Sequence, residues 1–174
     1  MIDNPYAFTD LSGFTPHISR LVYMMNYARL TTLQAVKGLS QEELDAHLFE
    51  EGNSIGMLLE HMTAVEMHYQ KDTLPEIMHS EAQKARSSSG GLGERGRQEV
   101  RGHDLPYYLD HLADIRAQTL EALTARDDTW SEEGTTWNIG WVNNHWKWFH
   151  VLEDEVNHRG QIRIIKKQLR GRAG

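Results

Sequence analysis

Asp154 and His158 are the residues whose types and spacing best suit chemistry at a metal ion. Four positions apart on a helix, they differ by about 6 Å along the axis and about 40° in rotation, so both side chains can reach one ion. An ionised carboxylate that faces a core is costly unless a cation or several donors meet it. The helix face that these two residues share is otherwise apolar, with Val151, Ile162, Ile165 and Leu169.

His61 could supply a third ligand, because it lies at the flank of an apolar stripe on an earlier predicted helix. Three ligands from two helices, with a further position left open, are typical of catalytic zinc. Spacing alone leaves other arrangements open. Asp154 could instead pair with Arg159 or with an arginine from the third helix. His150, one turn before Asp154, could join the ligands, and His68 could line the same cavity.

The composition limits the classes of protein to consider. The chain has 174 residues and ordinary hydrophobic content, which favours a single domain over residues 1–174. A net charge of −7 disfavours nucleic-acid binding. The chain contains no cysteine, so a metal must be held by histidines or oxygen ligands, and any thiol chemistry needs a sulfur from another molecule.

The sequence also predicts where the protein resides. No apolar run approaches the roughly 20 residues that a membrane-spanning helix needs. The first residues lack the basic start and the apolar stretch of a secretory signal. We therefore expect a cytoplasmic protein with a small-molecule substrate and without a membrane partner.

Apolar periodicity and capping signals predict four long helices. Their expected limits are Thr15 and Gly38, Ser54 (or Asn53) and Pro75, Asp104 and Arg126, and residue 140 and Gly171. A capping box over residues 40–43 predicts one short helical turn. With no strand alternation in the sequence, the fold class is all-α: a four-helix bundle with a long crossover between helices 2 and 3.

The crossover, residues 80–103, is rich in serine and glycine and is predicted to be a mobile connection. It contains the spacing G-x-G-x-x-G, but no strand precedes it, so we interpret it as a loop and not as a nucleotide site. Residues 127–137 are also predicted to be irregular. If the loop folds over the cavity, one of its arginines, such as Arg86, could steady an anionic substrate.

Two segments together resemble the DinB/YfiT-like superfamily. The first is Asn53-Ser-Ile-Gly-Met-Leu-Leu-Glu-His61, and the second is His150-x3-Asp154-x3-His158-Arg-Gly-Gln161. The resemblance covers nearly the whole chain. It implies a bacterial four-helix bundle whose metal ligands are His61, Asp154 and His158.

One position departs from the family pattern. The usual first histidine of the late pair is Asp154 here, whereas relatives similar to mycothiol-dependent maleylpyruvate isomerase have Glu. Because Asp is shorter, weaker affinity, a different preferred metal and recruitment of His150 all stay open. Zn or Ni is the expected metal, and the carboxylate moves the site toward Mn or Fe.

The resemblance implies a function as well. Similar family members include bacillithiol S-transferases, so we expect a divalent-metal-dependent enzyme, a thiol S-transferase that uses a low-molecular-weight thiol and forms a homodimer. His150 and Gln161 would lie beside the ligands or face the substrate. Two alternatives remain: a hydrolase that uses metal-bound water, and a non-catalytic, stress-associated metal-binding protein.

Two further patterns have less weight. Glu76-x-x-His79 and Glu155-x-x-His158 mimic the paired motifs of di-iron bundles, but no acidic residue lies between Leu11 and Gln41 to complete such a site. Four tryptophans cluster around the start of the fourth helix, where packing is the expected role and a ring-lined pocket the second. They are Trp137, Trp141, Trp146 and Trp148.

Overall fold

The computed structural model describes residues 4–172. Within this range the chain is mostly helical, with 67% helix, eight helices and one two-stranded sheet. No helix of the described part is long and apolar enough to cross a membrane. The elements, in chain order, are α1 Pro16–Val36, α2 Gln41–Asp45, α3 Ile55–Thr73, α4 Glu81–Ser89, α5 Glu94–Glu99, α6 Leu105–Leu123, α7 Asp128–Glu132, β1 Gly134–Trp137, β2 Gly140–Asn143 and α8 Asn144–Arg172.

The four predicted long helices are present as α1, α3, α6 and α8, and local capping explains where they start. Proline occupies the first turn of α1, where its missing N–H costs nothing. The Ser54 side chain accepts a hydrogen bond from the Met57 N–H at the start of α3, and Asp104 does the same for Tyr107 at the start of α6. These predicted starts are therefore confirmed.

The crossover is more ordered than the sequence analysis predicted. It contains two short helices, α4 and α5, separated by residues 90–93, and the last glycine of the G-x-G-x-x-G spacing lies inside α5, so the interpretation of the whole spacing as a loop was wrong. Ser80 and Gln83 form a capping box at the start of α4, a local signal that serine and glycine content obscured. Helix α4 packs against α3.

Residues 134–143 form an antiparallel hairpin within a mostly helical chain, which contradicts the expected start of the last helix at residue 140. The prediction that residues 127–137 are irregular was also wrong, because α7 and β1 occupy this segment. Trp137 pairs with Gly140 across a two-residue turn, and Gly140 has a φ of 117° that favours glycine. Threonine, valine and tryptophan in these short strands favour extended structure. Helix α8 consequently begins at Asn144, and it continues past Gly171 to Arg172.

Two apolar clusters form the core. Helix α1 packs on α8, and α3 packs on both α6 and α8. One cluster contains Leu58 and Ile162 at one end of the helices, and the other contains Met25 and Trp148. Each long helix contributes residues to both clusters, and between them it carries one buried arginine or glutamate. These residues are Arg29, Glu66, Arg116 and Glu155.

The four charged residues form a closed ionic network, one from each long helix. Arg29 Nε donates to Glu155 Oε1 at 2.9 Å, and Arg116 Nε donates to Glu66 Oε1 at 2.7 Å. Longer cross pairs of 3.3 and 3.4 Å join Arg29 to Glu66 and Arg116 to Glu155. Buried charges are tolerated when each one is paired and hydrogen-bonded, so this network fixes which faces of the four helices meet.

Candidate metal centre

The structure brings together the three predicted ligands. His61 projects from α3, and Asp154 and His158 project from α8, with one ligand atom of each within 4.8 Å of the others. Asp154 Oδ1 lies 3.7 Å from His61 Nε2 and 3.3 Å from His158 Nε2. The two imidazole rings are 4.9 Å apart and perpendicular. Two histidines and one carboxylate thus converge on one small space.

A backbone carbonyl sets the orientation of His61. Its Nδ1 lies 2.8 Å from the carbonyl oxygen of Gly90, at the end of α4. A carbonyl can only accept, so Nδ1 carries a proton, and Nε2 is the nitrogen that faces Asp154. Histidines that bind metals are commonly held in this way by their second nitrogen.

Gly90 can approach this closely because it has no side chain. A Cβ there would lie 2.6 Å from Ala64 Cβ and 3.0 Å from the Glu60 carbonyl oxygen. The crossover therefore has a direct part in the site, since it supplies the oxygen that orients His61. Sequence reasoning missed this role of Gly90, because the residue was part of a segment predicted to be mobile.

Two polar atoms of the trio, as we call His61, Asp154 and His158, indicate that a cation fits between these residues. Asp154 Oδ2 and His158 Nδ1 are buried and have no hydrogen-bond partner within the described part of the chain. A buried carboxylate oxygen without a donor is costly, and a divalent cation bound by the carboxylate would offset that cost. Two imidazoles and one carboxylate are also a donor set that first-row divalent metals accept. The residues present therefore fit a metal ion.

The electrostatics of the trio favour an ionised Asp154. Burial opposes ionisation, but hydrogen bonds and charge from His158 and His61 outweigh it and hold the pKa of the carboxyl well below its usual range. For His61, burial lowers the pKa, while Asp154 and the Gly90 carbonyl raise it, with a net upward shift. The carboxylate is thus charged at neutral pH, as a metal ligand must be.

The trio lies in the wall of a cleft of about 460 Å³ between α3, the end of α4 and α8. His61 and Asp154 line it, and so do His68, His150 and Tyr69. Burial, with Asp72 and Asp154 nearby, raises the pKa of Tyr69 to about 12, so its hydroxyl stays neutral. His68 lines the same cavity, as the sequence suggested, and His150 lines it as well. His150 Nδ1, however, lies 3.0 Å from Glu153 Oε2, and His150 does not join the trio.

Gln161 and the arginines considered from the sequence lie elsewhere. Gln161 lines a separate groove beside Phe49, because it lies about 10 Å further along α8 than Asp154. Arg159 donates to Thr31 and does not pair with Asp154. Arg86 forms a fork onto Glu60 at 2.7 and 3.1 Å, which occupies its guanidinium.

The residues next to the trio in sequence serve the core. Glu60, beside His61, binds Arg86 and lies 3.2 Å from His111, and Glu155, beside Asp154, belongs to the ionic network. Glu76 pairs with Arg126. The glutamates of both E-x-x-H matches are thus paired with arginines, which supports the exclusion of a di-iron site. One feature of the sequence did indicate the ionic network: Arg29 lies on the apolar face of α1, a helix that has no acidic residue to pair with it.

A mostly helical fold and a cleft with two histidines and a carboxylate are typical of small helical proteins that use a metal ion. The sequence profile of the family described as mycothiol S-transferase matches residues 20–171. The chain therefore belongs to the mycothiol S-transferase family, and the resemblance to DinB/YfiT-like proteins is confirmed. No curated protein matches the chain.

Proposed function

We propose that the protein joins a low-molecular-weight thiol, mycothiol in the first instance, through its sulfur to an electrophilic small molecule. A divalent metal ion would be held by His61, Asp154 and His158. The observation that carries this proposal is the convergence of these three side chains, within 4.8 Å, at a cleft that His61 and Asp154 line. Membership of a family described as mycothiol S-transferase supports the thiol and the reaction class.

The residues around the proposed metal ion would have separate roles in this reaction. Gly90 orients His61, and Asp154 contributes a negative charge beside the two imidazoles. A divalent ion bound there would supply the Lewis acidity that favours the thiolate form of a thiol. The sulfur must come from the small-molecule thiol, because the chain has no cysteine. A cleft of about 460 Å³ is within the range of small-molecule sites.

Zn²⁺ and Ni²⁺ are the first candidates for the ion, because two of the three ligands are imidazoles. The carboxylate of Asp154 also suits Mn²⁺ and Fe²⁺. We further propose that α1, α3, α6 and α8 form a four-helix bundle within a single domain, since their contacts and the ionic network link all four. A homodimer and a cytoplasmic location stay predictions.

The test combines metal analysis with a panel of thiols. Purified protein is assayed for bound metals, and turnover of monochlorobimane is followed with mycothiol, bacillithiol and glutathione. We expect about one ion per chain, and mycothiol as the best thiol. His158→Ala should lose the ion and the activity, whereas His145→Ala, an exposed histidine on the same helix, should keep both.

Two outcomes would refute the proposal. Unchanged metal content in the His158→Ala variant would show that the ion is bound elsewhere. A full complement of metal without turnover by any thiol would exclude S-transfer of this kind.

A further inference from the structure

An aromatic wall continues from the cleft onto the hairpin. We use this name for Tyr69, Trp137, Trp146 and His150. The Trp146 ring stacks on the His150 ring with centroids 5.3 Å apart and planes at 13°. Trp137 meets Trp146 edge-on at 6.0 Å and stacks on Tyr69 at 6.3 Å. Tyr69 and His150 also line the cleft, so the two tryptophans extend the cleft beyond its own lining residues.

The wall is rigid because a buried lysine anchors the hairpin behind it. Lys147 has a side chain that is 1% exposed, and its Nζ lies 2.7 Å from Asp72 Oδ2 on α3. The same nitrogen donates to Thr135 of β1 at 3.1 Å and lies 5.5 Å from the centre of the Trp137 ring. Trp137 is therefore fixed against α3, and the wall is formed before any ligand arrives.

Part of the wall is open to solvent. Trp146 is 39% exposed although it stacks on His150. His150 and Asp154 are one helical turn apart, about 6 Å along the axis. A flat molecule stacked on the wall would thus have its edge near the carboxylate end of the trio. Stacking on aromatic faces is tolerant of chemical detail but demands planarity.

We infer that the aromatic wall binds the acceptor substrate, and that this acceptor is a flat, conjugated electrophile. The inference rests on the proposed function. With an organic halide such as monochlorobimane as the acceptor, the thiolate sulfur forms a bond to the halogen-bearing carbon at the edge of the stacked ring system, and the carbon–halogen bond breaks. The halide leaves with the bonding pair, and the thiol proton passes to water. The wall holds the ring system and takes no part in the bond changes.

The first experiment measures binding without chemistry. Tetramethylbimane, a flat analogue without a leaving group, is bound to metal-free protein and followed by equilibrium dialysis. Trp146→Leu should raise its Kd about three- to tenfold, as expected for the loss of one aromatic stacking partner. Trp146→Phe keeps a ring and should stay within about twofold of the original protein. The matched control is Trp141→Leu, which replaces a tryptophan of β2 that is 66% exposed and lies outside the wall.

The second experiment measures selectivity. The ratio of kcat/KM for monochlorobimane to that for iodoacetamide, a small aliphatic electrophile, should fall about three- to tenfold in Trp146→Leu and stay unchanged in Trp141→Leu. If Trp146→Leu behaves like Trp141→Leu in both experiments, the inference is overturned. Loss of self-association in Trp146→Leu with unchanged bimane affinity would assign the wall to a subunit interface and overturn it equally. If no thiol supports turnover, the proposed function fails, and the dialysis experiment still decides whether the wall binds flat ligands.

Discussion

Replacement of Gly90 by alanine isolates one contact of the candidate metal centre. Gly90 has a φ of −70°, so an alanine can adopt the same backbone conformation. The perturbation is therefore purely one of packing. The added Cβ would lie 2.6 Å from Ala64 Cβ, whereas carbon atoms pack at about 3.5–4.0 Å, so the end of α4 must withdraw from α3 by about 1 Å.

The size of the effect follows from that displacement. The Gly90 oxygen lies 2.8 Å from His61 Nδ1, and a withdrawal of about 1 Å takes it beyond hydrogen-bond range. Loss of the group that orients a metal-binding histidine typically lowers metal affinity about 10- to 100-fold. Crowding of this kind also lowers the free energy of unfolding by about 1–3 kcal/mol.

Two measurements separate these effects. The affinity for Zn²⁺ is obtained by competition with a chromophoric chelator, and the free energy of unfolding by urea titration of the metal-free protein. Gly91→Ala is the matched control, because the neighbouring glycine lines the same cleft and an added Cβ meets nothing within 4 Å. We expect Gly91→Ala to bind Zn²⁺ like the original protein.

The result that would refute the reasoning is a folded Gly90→Ala variant that binds Zn²⁺ as tightly as Gly91→Ala. The Gly90 carbonyl would then be incidental to the orientation of His61. A loss of stability without a loss of affinity would confirm the close packing of α4 on α3, and it would equally remove the carbonyl from the account of the site.

Two other predictions concern stability. Glu66→Gln leaves Arg29 and Arg116 short of a carboxylate and should lower the free energy of unfolding by about 3–5 kcal/mol in urea titrations at pH 7. Burial raises the pKa of Glu66, but Arg116 and Arg29 outweigh it and lower the pKa below the ordinary 4.5. The stabilisation by Glu66 is thus present above pH 4.5 and is lost as the pH falls through the lowered pKa. Below pH 4.5, the free energy of unfolding should therefore depend less on pH in the glutamine variant than in the original protein. An equal dependence would contradict this account. Ser54→Ala removes the cap of α3 and should cost about 1 kcal/mol, and unchanged urea unfolding would show that the cap is dispensable.

The features that could be predicted from the sequence are local ones. Helix starts depend on a capping residue and its third neighbour, as at Ser54 and Met57, and the pairing of Asp154 with His158 depends on helix geometry within one turn. Both kinds of signal lie within a few residues of each other. The position of His61 opposite this pair needed the resemblance to a known family, since spacing alone left several partners open.

The features that were missed depend on distant residues or on weak local signals. Arg29 and Glu155 are 126 positions apart, and only the packing of the helices pairs them. The hairpin has strands of four residues, too short for clear alternation, and it depends on the anchor at Lys147. The role of Gly90 depends on a carbonyl, which no side-chain pattern reveals.

On two helices, adjacent residues have different structural roles, and this has a consequence for protein engineering. On α3, Glu60 pairs with an arginine and its neighbour His61 faces the cleft. On α8, Glu155 pairs with arginines and its neighbour Asp154 faces the cleft. A slip of α8 along α3 by one turn, about 5.4 Å, would leave Glu155 without its arginines, so the core sets the spacing across the cleft. The metal preference of the proposed centre should therefore change on exchange of the side chain at position 154 alone, because the alignment of the helices is specified by other residues.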